Sequence, residues 1–262
     1  RTYALANQKG GCGKTTTAIH LAAALAVRGE RVLMVDLDPQ AHATLGVGCH
    51  VGHGTSLVDV LFGEAEASAA IRPVAAGLDL LPATLGLAEF EEASVHSLAP
   101  EQALTSSLRP LIGRYDRVIL DCPPRADGVL TANALRAATH LLLVVETGSF
   151  ALQGALRARA IFEELLGLGG MPTLRVLATM FDRRLRFARD LLVAMHARFG
   201  PEMYDTAIRT SVSLREAVAS GTPVLHSAPR SRSSLDFLAL ADEVLGDEVE
   251  PSDAPLFQSL EA

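Results

Sequence analysis

Asn7-Gln8-Lys9-Gly10-Gly11-Cys12-Gly13-Lys14-Thr15-Thr16-Thr17 is the stretch that decides the fold. Residues 2–6 before it are short, apolar and strand-like. Residues 15–27 after it space Ile19, Ala22, Ala23 and Ala26 for one buried helical face, and Gly29 ends that run. Residues 31–35 then read as a second strand. A strand, a glycine-rich loop, a helix and a strand form the context in which Gly-x-x-x-x-Gly-Lys-Ser/Thr holds phosphate. The first glycine of the strict pattern is absent, because position 8 is Gln; the chain carries the variant Lys-Gly-Gly-x-Gly-Lys-Thr.

The residue types suit the chemistry. Gly10, Gly11 and Gly13 let the backbone turn its N–H groups toward an anion, and the helix start behind Cys12 and Gly13 adds partial positive charge. Lys14 is placed to bridge the β- and γ-phosphates, the Thr15 hydroxyl to ligate Mg²⁺, and Thr16 to donate to the α-phosphate. The chain has 21 arginines but only two lysines, Lys9 and Lys14, both in this loop. A compact ammonium and a planar guanidinium are not interchangeable between phosphate oxygens, so both lysines are assigned to nucleotide binding.

Further motifs follow in order: Asp36-Leu37-Asp38-Pro39-Gln40, Asp121-Cys122-Pro123-Pro124, Thr131-Ala132-Asn133-Ala134-Leu135, Phe150-Ala151-Leu152-Gln153-Gly154, Met180-Phe181-Asp182-Arg183-Arg184 and Pro229-Arg230-Ser231-Arg232. With the loop, they resemble the ParA/MinD family of partition and positioning ATPases, over about residues 2–245. The resemblance implies an α/β fold, a single-domain P-loop NTPase with a mostly parallel twisted sheet and helices on both faces. It implies ATP and Mg²⁺, slow hydrolysis, and a sandwich homodimer in which Lys9 reaches the phosphates bound by the other subunit. It gives Asp38 the role of orienting the attacking water. Asp121 and Asp36 each end an apolar strand, at the sheet edge where ligands bind in such folds; Asp121 is expected to hold Mg²⁺ through water and Asp36 to support the same shell. Relatives use a ParB-like or other adaptor to stimulate hydrolysis, and the resemblance implies a cargo that is a chromosome, a plasmid or a protein assembly.

Strands are expected at 2–6, 31–36, 78–81, 117–121, 140–146, 174–180 and 204–207, with helices between them, which predicts a mainly parallel sheet. The glycine- and alanine-rich stretches 46–54 and 63–77 read as loops or weak helix. Residues 1–245 form the expected ATPase domain. Residues 246–262 carry five acids and no base and read as a mobile acidic tail, in which Leu256, Phe257 and Leu260 are an incidental apolar triplet. No apolar run approaches about 18 residues, no signal peptide is read, and three scattered cysteines suit a reducing cytosol. Cys49, His50, His53 and His42 have metal-ligand character, but the glycines around them and the lack of a second pair favour a loop.

Charge is uneven. Residues 157–232 hold 12 arginines against seven acids, while the whole chain totals −7. Arg183, Arg184, Arg186, Arg209, Arg215, Arg230 and Arg232 are therefore candidate contacts to DNA phosphates without sequence readout, and the resemblance implies nucleoid binding by the ATP dimer in the cytoplasm. Three departures stand against the pattern. Ser213 lies where many relatives have Arg, Arg125 follows Pro124 where a small residue is usual, and neither an N-terminal helix-turn-helix nor a basic C-terminal membrane helix is read. Two other readings remain. One is a metal-cluster ATPase like the nitrogenase iron protein or iron–sulfur scaffolds, which needs paired cysteines or Cys-x-x-Cys that this chain lacks. The other is a non-hydrolysing regulatory scaffold.

Overall fold

Side chains alternate across β1 (Thr2–Ala6), and the alternation feeds two cores. In the computed structural model, which describes residues 1–95, 98–167 and 170–247, Tyr3 and Leu5 enter one hydrophobic cluster while Ala4 and Ala6 enter the other. The same period of two runs through β2 (Val32–Asp36) and β5 (Arg117–Asp121): Leu33, Val35 and Leu120 face one way, and Val32, Met34 and Ile119 the other. The remaining strands are β3 (Arg72–Ala75), β4 (Leu78–Leu81), β6 (His140–Glu146), β7 (Thr173–Phe181) and β8 (Met203–Arg209). They form one sheet in the order β3-β4-β2-β5-β1-β6-β7-β8. All neighbours are parallel except β3 and β4. This is the expected mostly parallel α/β architecture. β1 lies between β5 and β6, so the loop after β1 opens at the place where the strand order runs off in both directions, the usual ligand crevice of such sheets.

Helices cover both faces: α1 (Lys14–Val27), α2 (His42–Gly46), α3 (Leu57–Leu61), α4 (Ala67–Ala70), α5 (Leu87–Ser94), α6 (Ala103–Leu108), α7 (Val129–Ala137), α8 (Ala151–Leu166), α9 (Arg186–Phe199), α10 (Val212–Ala219), α11 (Val224–Ser227) and α12 (Arg232–Gly246). α1 and α12 share the cluster with Tyr3; α7 and α8 share the one with Ala4. α1 corrects one expectation. It has no single buried face, because every residue from Thr17 to Leu25 is buried. The sheet lies below it and α12 beside it, and the small side chains Ala22, Ala23 and Ala24 permit close approach on all sides. His20 is enclosed there, with Val224 N–H donating to its Nδ1 at 3.2 Å. Burial depresses its pKa to about 3, so it stays neutral.

β3 corrects another expectation, since residues 72–75 fell in a stretch read as loop or weak helix. Arg72-Pro73-Val74-Ala75 is a short antiparallel edge strand with a register shift between Pro73 and Ala75. A proline is tolerated at an edge, where its missing N–H breaks no inner ladder. The domain boundary also moves. Gly246 ends α12, and Asp247, assigned to the tail, is buried. Asp247 accepts hydrogen bonds from Tyr3 Oη (3.1 Å), Tyr204 Oη and Arg175 Nε (2.7 Å). It thus ties the end of α12 to the first residues of β1, β7 and β8. The rest of the expected tail, residues 248–262, lies outside the described residues.

Removing one member of a buried, hydrogen-bonded ion pair costs about 3–5 kcal/mol. Asp247→Ala is therefore expected to lower unfolding stability by about that amount in urea titrations, whereas Arg28→Ala, which breaks an exposed pair with Asp242, is expected to change it by less than about 1 kcal/mol.

Candidate phosphate-binding site

The loop after β1 is fastened at its base and at its crest. Asn7 Nδ2 donates to the Val144 carbonyl of β6 at 2.7 Å, and its Oδ1 accepts from Lys9 N–H at 3.1 Å. Thr179 of β7 donates through Oγ1 to the Cys12 carbonyl at 2.7 Å. Between these anchors the backbone turns through Gly13, whose φ of +92° is a left-handed value that strains any residue with a Cβ. Gly13 caps α1 without a side-chain hydrogen bond, and no acid stands in the first turn. The leading amides of a 14-residue helix are thus left to an external anion.

Lys14 is buried, and its Nζ rests on the Lys9 carbonyl at 3.3 Å. Lys9 is exposed and points elsewhere: its Nζ meets Glu146 Oε2 at 2.5 Å. Gly10, Gly11, Gly13, Lys14, Thr15, Thr16 and Asp38 line one cavity of about 810 Å³, together with Gln40, His42, His50, Pro124, Met180 and the Ser220–Gly221 turn. A second cavity of about 440 Å³ adjoins it across Gly13 and Thr16, lined by Thr17, Met180, Ile208, Thr210, Ser211 and Arg215 among others. The loop carrying His50 is held beside the site by backbone contact. A Cβ on Gly221 would lie 2.7 Å from Gly48 Cα, so neither glycine tolerates a side chain there without displacement.

The two strand-ending carboxylates play different parts. Asp36 and Asp121 are register partners on β2 and β5, and both are fully buried. Asp36 is satisfied from within: its Oδ2 accepts from Thr44 N–H (2.8 Å) and Thr44 Oγ1 (2.7 Å), and its Oδ1 from Asp38 N–H (3.1 Å). That makes it a support for the segment carrying Asp38. Asp121 is not satisfied, since neither oxygen receives a hydrogen bond among the described residues. Burial, and then the neighbouring Asp36, push its pKa well above the carboxylate range; the Thr15 hydroxyl and Lys14 ammonium draw it part of the way back. Buried carboxylate oxygens without donors, beside a hydroxyl, are the donor set of a hard divalent cation. Asp38 is nearly buried, with Oδ1 accepting from Gln40 N–H at 2.9 Å.

The arginines assigned to DNA divide. Arg183, Arg184 and Arg186 are exposed after the C-terminal end of β7, and Arg230 and Arg232 are exposed at the start of α12. Arg184 pairs with Asp182 at 2.7 Å. Arg215 is exposed and lines the second cavity. Arg209 is committed to the fold instead, with Nε 3.0 Å from Asp236 Oδ2 and a further bond to the Arg232 carbonyl. Asp236 is buried, and removing Arg209 from it would strand a charge. Ser213 sits in the first turn of α10 and donates its N–H to the Ser211 hydroxyl. Arg125 is exposed, 3.8 Å from Asp127. Sequence reasoning missed Thr44, whose role is local to Asp36, and Thr179 and Glu146, whose roles depend on contacts between strands. Asn7 and Met180 stand within the motifs, but no local pattern shows that one anchors the loop and the other lines both cavities. Among the described residues no group of three His, Cys, Asp or Glu side chains is placed to hold a metal, and Cys12 and Cys122 are buried.

Comparison with known proteins agrees with this geometry. A family profile described as an AAA domain matches residues 1–165. The chromosome-partitioning ATPase Soj of Thermus thermophilus is 41% identical over 248 residues, covering 94% of this chain and 95% of that protein. The chromosome partitioning protein ParA of Caulobacter vibrioides is 38% identical over 255 residues, covering 95% of each. Among solved structures, cobyrinic acid a,c-diamide synthase from Mycobacterium smegmatis with bound ADP and magnesium is 32% identical, with a TM-score of 0.80 and 94% of each chain covered. Apo McdA from Cyanthece is 25% identical, with a TM-score of 0.82, covering 94% of this chain and 99% of that one. With its P-loop at the crevice of a mostly parallel sheet and relatives matched along nearly its whole length, this chain belongs to the ParA/Soj branch of the ParA/MinD family of ATPases.

Proposed function

We propose that the chain is a slow, Mg²⁺-dependent ATPase whose ATP-bound form pairs across a two-fold axis, binds DNA without reading sequence and positions a chromosome, plasmid or protein cargo. A ParB-like adaptor stimulates hydrolysis. The observation that carries this reading is the convergence of Lys14, Thr15 and Asp38 on one cavity beside the unsatisfied Asp121.

The roles follow from position. Lys14 exchanges the weak contact to its own loop carbonyl for phosphate oxygens, joined by the free amides of α1 and the Thr16 hydroxyl. Thr15 and Asp121 would hold Mg²⁺, with Asp36 in support. When bound, the cation neutralises charge developing on the transferred phosphoryl group. Asp38, tied to Asp36 through its own amide, orients the attacking water. The second cavity, lined by Met180, Thr210 and Ser211, would take the base. Lys9, exposed at the mouth, reaches the phosphates bound by the second subunit. Arg183, Arg184, Arg186, Arg230 and Arg232 emerge on the same sheet edge and supply the phosphate-binding surface, with Arg215 beside them. Arg209 is excluded from that set by Asp236. No helix of the described residues is long and apolar enough to cross a membrane; the reading places the protein in the cytoplasm on the nucleoid.

Five variants test this. Asp121→Asn is expected to abolish the thermal stabilisation conferred by ATP with Mg²⁺. It is also expected to raise the stability of the nucleotide-free protein in EDTA at pH 8, because burial and the neighbouring Asp36 disfavour ionisation of this carboxyl and the amide does not ionise. The gain shrinks toward pH 5: a carboxyl whose folded-state pKa is raised stabilises the fold while protonated and loses that contribution as pH rises. Lys14→Ala is expected to lose ATP binding, Asp38→Ala to bind ATP without turnover, and Lys9→Ala to bind ATP as a monomer in light scattering. Equal turnover by Asp38→Ala and wild type would remove Asp38 from the chemistry. Arg183→Glu with Arg186→Glu is expected to weaken DNA binding at least tenfold at low salt and to flatten its salt dependence, as read by fluorescence anisotropy.

A further inference from the structure

The ammonium of Lys9 is not free in the single chain. Its tip lies 2.5 Å from Glu146 Oε2, at the end of β6. Its backbone N–H is held by Asn7, which is itself bonded to Val144, two residues before Glu146 on the same strand. Glu146 is followed by Thr147, whose N–H and hydroxyl both bind the Thr179 carbonyl of β7 at 2.9 and 3.2 Å. The carboxylate therefore stands on a strand end fixed to its neighbour, while the lysine side chain is 57% exposed. The Lys9 carbonyl receives Lys14 Nζ, so the two lysines are mechanically linked, one held at its tip and the other resting on its backbone.

We propose that Glu146 is a positioning residue that holds Lys9 folded back on its own subunit and so sets the nucleotide concentration at which two chains pair. This rests on the reading that Lys9 acts across the two-fold axis. In the single chain the ammonium is compensated by Glu146. To serve the second subunit it must leave, and the carboxylate then stands uncompensated near the mouth of an anion site, which opposes the exchange. Phosphates arriving at the loop favour it, because they remove Lys14 from the Lys9 carbonyl and offer Lys9 a more highly charged partner. The contact is partly exposed, so its effect is limited. Pairs of this kind shift an equilibrium by up to about fivefold, and a two-fold dimer releases two of them, giving up to about 25-fold in the dimer dissociation constant.

The experiment is sedimentation equilibrium of the full chain with Mg²⁺ and a slowly hydrolysed ATP analogue, comparing wild type, Glu146→Gln, Lys9→Ala and the double variant. Glu146→Gln is expected to tighten the dimer about three- to 25-fold at low salt, with the ratio to wild type falling toward one near 1 M salt, as an ionic restraint requires. Lys9→Ala is expected to stay monomeric with or without Glu146. If Lys9→Ala dimerises as wild type does, the cross-subunit reading fails. If Lys9→Ala stays monomeric while Glu146→Gln pairs no more tightly than wild type, that reading stands and the restraint is refuted. A Glu146→Gln gain that does not decline with salt also refutes it, since a change of packing would not be screened. Glu146→Ala, which removes the carboxylate without adding an amide, is expected to act in the same direction and serves if the Gln variant does not fold.

Discussion

Two carboxylates buried side by side on adjacent parallel strands are the constraint on which this structure turns. Asp36 and Asp121 are paired by sheet register, and neither can be moved without shifting β2 against β5. Their mutual repulsion in a poorly solvated place is unfavourable, and the fold answers it unequally. Asp36 takes three donors, two of them from Thr44, and in doing so fixes the start of α2 and the backbone of Asp38. Asp121 takes none among the described residues. The positive charge missing from this end of the sheet is what a divalent cation would supply. Ligand binding is thereby coupled to relief of a strain in the folded chain.

The phosphate loop sits above this pair because β1 is the strand between β5 and β6. Its two anchors, Asn7 to β6 and Thr179 of β7 to the crest, come from the side of the sheet away from Asp36. The site is thus built from two halves. One presents the acid residues and the segment following β2; the other holds the loop and the Lys9–Glu146 contact. A ligand touching Lys14, Thr15 and Asp38 spans both halves.

Much of this was legible in the chain itself. The strand–loop–helix pattern around residues 7–17 located the loop, and apolar runs ending in Asp36 and Asp121 located the two acids at one sheet edge. The rest depended on relations that no local pattern carries. Nothing near Arg209 in sequence announces Asp236, 27 residues away, so a structural pair was counted as a nucleic-acid contact. Thr179 and Glu146 look like ordinary strand residues until β6 and β7 are laid beside β1. Arg72–Ala75 lies within a stretch whose glycines and alanines read as loop or weak helix, and its pairing as an edge strand beside β4 is a relation between segments that composition does not carry. The burial of α1 on all sides was hidden because alanine fits one buried face or several equally well.

The knot around Asp247 has a practical consequence. It gathers the starts of β1, β7 and β8, so Asp247 lies at the floor of the sheet. The nucleotide cavity opens at the roof, one strand length away, which for the seven residues of β8 is about 23 Å. A fluorophore or affinity handle attached to a residue of this floor therefore stands on the side of the sheet opposite the cavity and leaves the mouth of the site clear.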